Sequence, residues 1–200
     1  MNDPYITLLK YRRLLITEFS NLTNIPENIL VEKVVNSIRD NVVFDGYEVK
    51  LVNPLGLALE LLRKGYSSKL VSNYLDWRDF EKFAGEILSK HGYQVYLNFK
   101  SFKPVRFEID VIGVDPASGR GLFIDCKHWN KGLSRSTLTT IIDKHVERIN
   151  KFTKYFSWYV NKWIYFKYLK EVIPVVITLT TPVIRVYNNT IVVSIQEFNQ

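Results

Sequence analysis

Apolar positions in the first third of the chain follow two periods. Pro26 and Glu27 open a stretch in which Ile29, Leu30, Val34, Val35 and Ile38 recur at helical spacing. Val42-Val43-Phe44, Asp45-Gly46 and the run 47–52 then read as a β-hairpin, because Asp-Gly supplies the positive φ of a tight turn. Pro54 begins another helix over 55–64, closed by Gly65, and Ser67 and Ser68 can cap a short helix over 69–75. Two short helices joined through a glycine resemble a helix-turn-helix.

From Trp77 the pattern becomes more regular. Asp76, with Asp79 three residues on, can cap a helix whose apolar face is Phe80, Phe83, Ala84, Ile87 and Leu88, and Gly92 ends it. Three strand-like runs follow, 93–99, 106–114 and 121–127, with Pro-Ala-Ser-Gly at 116–119 as the turn between the second and third. A long helical region over 136–170, with a break near Ser157, precedes the apolar run 172–180, which has the character of a buried strand. A last run, 190–195, lies beyond an Asn188-Asn189 turn. The expected fold class is α/β, an αβββαβ core over 77–200 behind a small helical lobe with a hairpin over 1–76.

Composition narrows the partner. The 200 residues are 46% hydrophobic and 24% charged, as in a globular protein, with a net charge of +7 and a pI near 9.3. Residues 1–76 hold 9 basic and 9 acidic side chains, and residues 77–200 hold 18 and 11, so the whole excess is regional. An anionic partner, nucleic acid or a membrane surface, is therefore expected for the second part. The longest late apolar run, 172–179, contains Pro174 and falls far short of the ~20 residues a spanning helix needs, so no membrane span is expected. Residues 1–10 lack the pattern of a signal peptide. The single cysteine, Cys126, excludes an intrachain disulfide and suits a reducing cytoplasm. His91, His128 and His145 share no zinc-ligand spacing, and there is no phosphate-cradling glycine loop.

Four residues carry the candidate chemistry. Asp110 sits in the second strand between Ile109 and Val111, and Asp125 follows Leu122-Phe123-Ile124 in the third. Side chains two apart in a strand share a face, so Asp125 projects with Lys127, and Glu108 with Asp110, while Phe107, Ile109 and Val111 point the other way. Glu81 falls about 20° from Leu88 on the helix, at the margin of its apolar stripe. Acids inside apolar strands are costly unless paired or bound to metal. Three of them beside a lysine make an oxygen cage for Mg²⁺ and equipment for phosphodiester hydrolysis. A same-face ion pair between Asp125 and Lys127 on a half-exposed strand is the plainer alternative.

In this order the residues resemble a known family. Asp79-Phe80-Glu81, Glu86-Ile87-Leu88, Gly92-Tyr93-Gln94-Val95, Glu108-Ile109-Asp110 and Asp125-Cys126-Lys127-His128-Trp129 look like the PD-(D/E)XK nucleases. Within that superfamily the chain is most similar to the Mrr-type restriction endonucleases and the archaeal Holliday-junction resolvases. The resemblance covers roughly 77–198 and implies a restriction-endonuclease-like core, a mixed sheet flanked by helices, and Mg²⁺- or Mn²⁺-dependent cleavage of DNA, branched DNA included. It implies that Glu81, Asp110 and Asp125 bind metal, that the Cys126 carbonyl adds a ligand, and that Lys127 serves the attacking water. Ile109 stands where the family's proline would be. In place of the glutamine many relatives carry on the next helix, the nearest residues are Lys144, His145 and Arg148.

The remaining basic residues suit phosphate contacts: Lys100, Lys103 and Arg106 before the second strand, Lys131 and Arg135 after the third, and Lys144, Arg148, Lys151 and Lys154 on the long helix. Nine of the twenty residues 151–170 are aromatic, a stripe that serves a core or a dimer interface. A homodimer is expected from the resemblance and this stripe, since two-fold symmetry presents two sites to two strands. Three alternatives stay open: a catalytically inactive nucleic-acid-binding module of the same fold, a nuclease that acts on RNA, and a structural or oligomerisation protein whose basicity is incidental.

Overall fold

The computed structural model describes residues 2–128 and 133–198. The chain forms two compact units, Met1–Asp79 and Phe80–Gln200.

In the first unit, Asp3 accepts a hydrogen bond from the Ile6 N–H at 3.0 Å and so caps α1 (Pro4–Tyr11). A three-residue strand, β1 (Arg13–Leu15), leads to α2 (Ile16–Thr23), which ends at Asn24 in the left-handed conformation, φ 55°. The expected helix after Pro26 forms as α3 (Glu27–Ile29), and the chain stays helical through a π-turn at Leu30–Val35 and a 3₁₀ turn at Asn36–Ile38. The hairpin forms as β2 (Val42–Phe44) and β3 (Glu48–Leu51), with Gly46 at φ 97° and Asp45 accepting the Tyr47 and Glu48 N–H groups. Helices α4 (Pro54–Arg63) and α5 (Ser68–Ser72) follow.

The sheet order is β1-β3-β2, all antiparallel. Helix, strand, helix, helix and hairpin with that strand order is the topology of a winged helix-turn-helix. The turn of this arrangement lies between α2 and α3, not in the α4–α5 pair that the sequence favours. Its core is Leu8, Phe19, Leu30, Ile38, Val49, Leu57 and Leu61, all buried.

The second unit is entered along α6 (Trp77–Lys90), capped by Asp76, which accepts the Asp79 N–H at 2.8 Å. Three antiparallel strands follow, β4 (Gln94–Ser101), β5 (Phe107–Val114) and β6 (Arg120–Lys127). Helix α7 (Arg135–Lys154), capped by Ser134, and the short α8 (Phe156–Tyr159) lead through a 3₁₀ turn at Ile164–Tyr168 to β7 (Glu171–Thr178). The chain closes with β8 (Val186–Tyr187), β9 (Thr190–Ser194) and α9 (Ile195–Phe198). The six strands run β4-β5-β6-β7-β9-β8, with β6–β7 and β7–β9 parallel and the rest antiparallel. This is the expected mixed sheet flanked by helices. Among the described residues, no helix is long and apolar enough to cross a membrane.

The helical region expected over 136–170 breaks close to the point expected near Ser157: α7 stops at Lys154 and α8 begins at Phe156, and packing explains why. The rings of Phe152, Tyr159 and Phe166 each lie 5.6 Å from that of Phe99. A straight helix would separate Phe152 from Phe166 by about 21 Å, so all three reach one strand residue only if the helix breaks. These aromatics, with Phe107, Ile109, Ile112, Val114, Phe123 and Ile149, form one buried cluster on the α7 side of β5 and β6.

Candidate active site

The site begins where the strand alternation shifts. Phe107 and Ile109 belong to the aromatic cluster, but so do Ile112 and Val114. Odd positions give way to even ones around Asp110, so Val111 does not share the cluster with Phe107 and Ile109 as strict alternation requires. The neighbouring strand shifts in step, because Tyr96 and Phe99 both pack on that cluster. Between them Asn98 adopts φ 54°, flanked by the pairs Leu97↔Val111 and Phe99↔Ile109, which sets it opposite Asp110. Asparagine tolerates this left-handed conformation, where a β-branched residue would be strained. The irregularity re-aims Asp110 without losing register.

Asp125 lies near the end of β6 with only 1% of its surface exposed. Lys127 Nζ stands 2.6 Å from its Oδ2, and Arg148 Nη2, from α7, donates to its Oδ1 at 2.7 Å. The ion pair expected of same-face neighbours is therefore present, and a second cation reinforces it. Burial alone would push Asp125 up, but Lys127, Arg148 and His145 outweigh it and hold its pKa below the ordinary carboxylate range. Asp125 is the ionised member of the group.

The other two carboxyls behave differently. Asp110 Oδ2 accepts the Cys126 N–H at 2.8 Å, a bond across the strands that ties its side chain to the Asp125–Lys127 segment. Burial and the Asp125 charge push its pKa up to about 6, against the pull of that N–H, Lys127 and Arg148. Glu81 is 6% exposed on α6. Burial and then Asp110 push its pKa up to about 7, and the Asn98 side chain, hydrogen-bonded to it, opposes the rise. Its Oε2 is buried without a hydrogen-bond partner.

Sequence reasoning missed Asn98, although an asparagine between Leu97 and Phe99 in a strand is itself a signal, since asparagine is depleted in strands and prone to left-handed geometry. It also treated Arg148 as a phosphate contact or a stand-in for the family's glutamine. Arg148 instead turns inward onto Asp125, with further contacts to the Lys144 and Glu108 carbonyls.

The remaining neighbours are structural in character. Burial raises the Cys126 thiol well above its ordinary pKa, and Asp110, Asp125 and Glu81 add to the rise, so the thiol stays protonated. His145 is fully buried, donates from Nε2 to the Phe123 carbonyl at 2.8 Å, and is pushed down to about 4 by burial, hence neutral. β6 ends at Lys127, and the His128 ring packs 5.1 Å from that of Phe80.

The expected metal ligands do not close into a cage. Among the described residues, no three His, Cys, Asp or Glu side chains form a group that could hold a metal ion, and Asp125 is ion-paired with both Lys127 and Arg148. The donor set nevertheless fits a divalent cation on two counts. Glu81 has a buried oxygen lacking any donor, and Glu81 and Asp110 both have pKa values raised partly by a neighbouring carboxylate. An added positive charge would relieve both conditions.

Eight of the nine basic residues expected on DNA fall into two sets. Lys103, Arg106, Arg135, Lys144 and Lys154 are exposed. Lys100 pairs with Glu108 at 3.2 Å, Lys151 with Glu147 at 2.6 Å, and Arg148 is committed to Asp125. Lys131 lies outside the described residues.

A strand-embedded Asp, an Asp-x-Lys at the end of the next antiparallel strand and a Glu from the preceding helix follow the order that the resemblance to the restriction-endonuclease-like nucleases implies. A family described as Restriction endonuclease (Mrr_cat) matches residues 72–155, which bears out the resemblance to the PD-(D/E)XK superfamily. That segment contains Glu81, Asp110, Asp125, Lys127 and Arg148. No curated protein matches the chain. A solved structure, "Crystal structure of protein VC1899 from Vibrio cholerae", is similar at 12% identity with a TM-score of 0.35. The match covers 98% of this chain and 48% of that one, so the chain spans about half of its length.

Proposed function

We propose that the protein is a deoxyribonuclease that hydrolyses phosphodiester bonds with a divalent metal, Mg²⁺ or Mn²⁺. The observation that carries this reading is the Asp125 carboxylate at the end of β6, buried between Lys127 and Arg148 and linked through the Cys126 amide to Asp110. Burying one carboxylate with two cations and two further acids is costly, and a structural role alone would be met more cheaply by apolar residues.

Glu81, Asp110, Asp125 and the Cys126 carbonyl would hold the metal. When bound, it would polarise the phosphate and lower the pKa of water. The chain's own groups do the rest. Arg148, already bonded to Asp125, can pass to the substrate phosphate as Asp125 takes up its ligand role. Lys127 Nζ stands where it can orient a water and offset charge that builds up in the transition state. Asn98 fixes the Glu81 carboxyl. The unit over residues 1–79 serves as an accessory lobe, and a homodimer presents two such sites to two strands. Trp158 and Ile164, 62% and 64% exposed, offer apolar surface for that contact.

The test incubates purified protein with linear, single-stranded and four-way-junction DNA, and with RNA of the same sequence, with and without Mg²⁺ or Mn²⁺. Asp110→Asn and Lys127→Ala are run beside it. Metal-dependent cutting of DNA, lost in both variants, supports the reading. The paired state of Asp125 favours a second reading, a binding module without catalysis. Salt-sensitive binding with no cutting in any metal would decide for it.

A further inference from the structure

The β4–β5 connection carries a feature that the cleavage chemistry does not use. Phe102, at the start of this loop, is 70% exposed, although phenylalanine is ordinarily among the buried residue types. The loop is not loose. Ser101, 1% exposed, donates to the Val105 carbonyl at 2.9 Å, lies 3.2 Å from that of Lys103, and shares a hydrogen bond with the buried Tyr159 hydroxyl at 2.9 Å. These bonds fix the loop from beneath and hold Phe102 outward.

Its surroundings are basic. Lys103 and Arg106 are exposed and have no ion-pair partner among the described residues. With Lys100, Phe107 and Glu108, Phe102 and Arg106 line a shallow cavity of about 240 Å³. The loop also connects to the cleavage site, since Arg148, which holds Asp125, reaches the Glu108 carbonyl at 3.5 Å. A rigidly presented aromatic face flanked by cations matches a stacked base with its flanking phosphates, because every base has a π-face and every phosphate a negative charge. Burial in a protein interface would not need the unpaired cations.

We propose that Phe102 is a stacking platform for an unpaired base, with Lys103 and Arg106 holding the adjoining phosphates, so that the protein prefers DNA containing unstacked nucleotides over continuous duplex. This rests on the deoxyribonuclease reading for its substrate class, but not on catalysis.

The experiment measures binding in EDTA by fluorescence anisotropy, so that no cleavage intervenes. The DNAs are a linear duplex and the same duplex with a three-nucleotide bulge that carries 2-aminopurine. Wild-type protein is expected to bind the bulged DNA roughly ten-fold more tightly and to quench the 2-aminopurine, given the usual worth of one stacked base. Phe102→Ala should abolish both the preference and the quench, and Phe102→Trp should retain them. Equal affinity of wild-type protein for both DNAs, or an undiminished preference in Phe102→Ala, overturns the proposal. Cutting without quenching would remove the stacking platform and leave the nuclease. Quenching without cutting in any metal would do the reverse.

Discussion

The two units solve the problem of folding in different ways. Among its described residues, the first unit buries only uncharged polar side chains, namely Thr7, Thr23, Asn41 and Ser72. The second buries Glu81, Asp125 and His145, three ionisable groups. Burying such groups opposes stability unless each is paired or neutralised, so a fold accumulates them only where something other than stability is served. The charge distribution points the same way, with zero net charge over 1–76 and the whole excess of +7 beyond. Even the helix that would meet a DNA groove in a winged helix-turn-helix exposes Glu27 and Glu32 against a single Lys33. Both differences support our proposal that chemistry and anion binding belong to the second unit.

The harshest way to break that comparison is by activity. Asp125→Asn should lower the rate of DNA cutting by at least about 10³-fold, since it removes a proposed metal ligand and the partner of Lys127 together. Glu18→Gln or Glu60→Gln, in the first unit, should leave the rate within two-fold in the same cleavage assay. An equal loss from Glu60→Gln would end the division of labour.

Stability sharpens it next. For Glu81 the folded-state pKa of about 7 stands above the ordinary 4.5. Between those values the folded chain keeps a proton that the unfolded chain has released. Stability therefore falls as pH rises from about 4.5 to 7 and levels off above, by on the order of 2 kcal/mol. Asp110, raised to about 6, adds in the same direction over the lower part of that window. Urea titrations at pH 5 and pH 8 should show the fall, Glu81→Gln should flatten it, and Mg²⁺ should restore more at pH 8 than at pH 5. A slope unchanged by Glu81→Gln would contradict the burial argument.

Arg148→Met probes the same centre from the cationic side. It leaves buried Asp125 with Lys127 alone, and because Arg148 is a quarter exposed and one cation remains, the expected loss is about 2 kcal/mol, less than for a fully broken pair. Arg13→Met, which removes the surface partner of Glu48, should not move the urea midpoint measurably.

The smallest effect concerns the basic surface. Lys144→Ala should weaken DNA binding by a similar factor for every sequence and reduce the salt slope by about 1. Arg63→Ala, in the first unit, should change neither in the same anisotropy titration.

Much of the fold was legible beforehand because it rests on local periodicity. The α6 stripe, the three strands after it, the apolar run 172–180 and the Asp-Gly hairpin all declare themselves within a dozen residues. β1 did not, since three residues are too few to show alternation, and without it the winged arrangement around α2 and α3 could not be read. The break near Ser157 could be read in the sequence, but its cause was hidden, because it answers to Phe99, more than fifty residues away.

The candidate site divides along the same line. By itself the sequence determined which acids intrude on apolar strands, that Asp125 and Lys127 share a face, and that the positive charge is regional, because each follows from spacing along a single element. Only the tertiary structure decided that Arg148 turns inward to Asp125, that Asn98 faces Asp110 and steadies Glu81, and that the Glu81 oxygen is left without a donor. The physical reason is that charge pairing and desolvation depend on distance in space. Residues 98, 110, 125 and 148 come from four elements, and no periodicity within one of them records the approach of another.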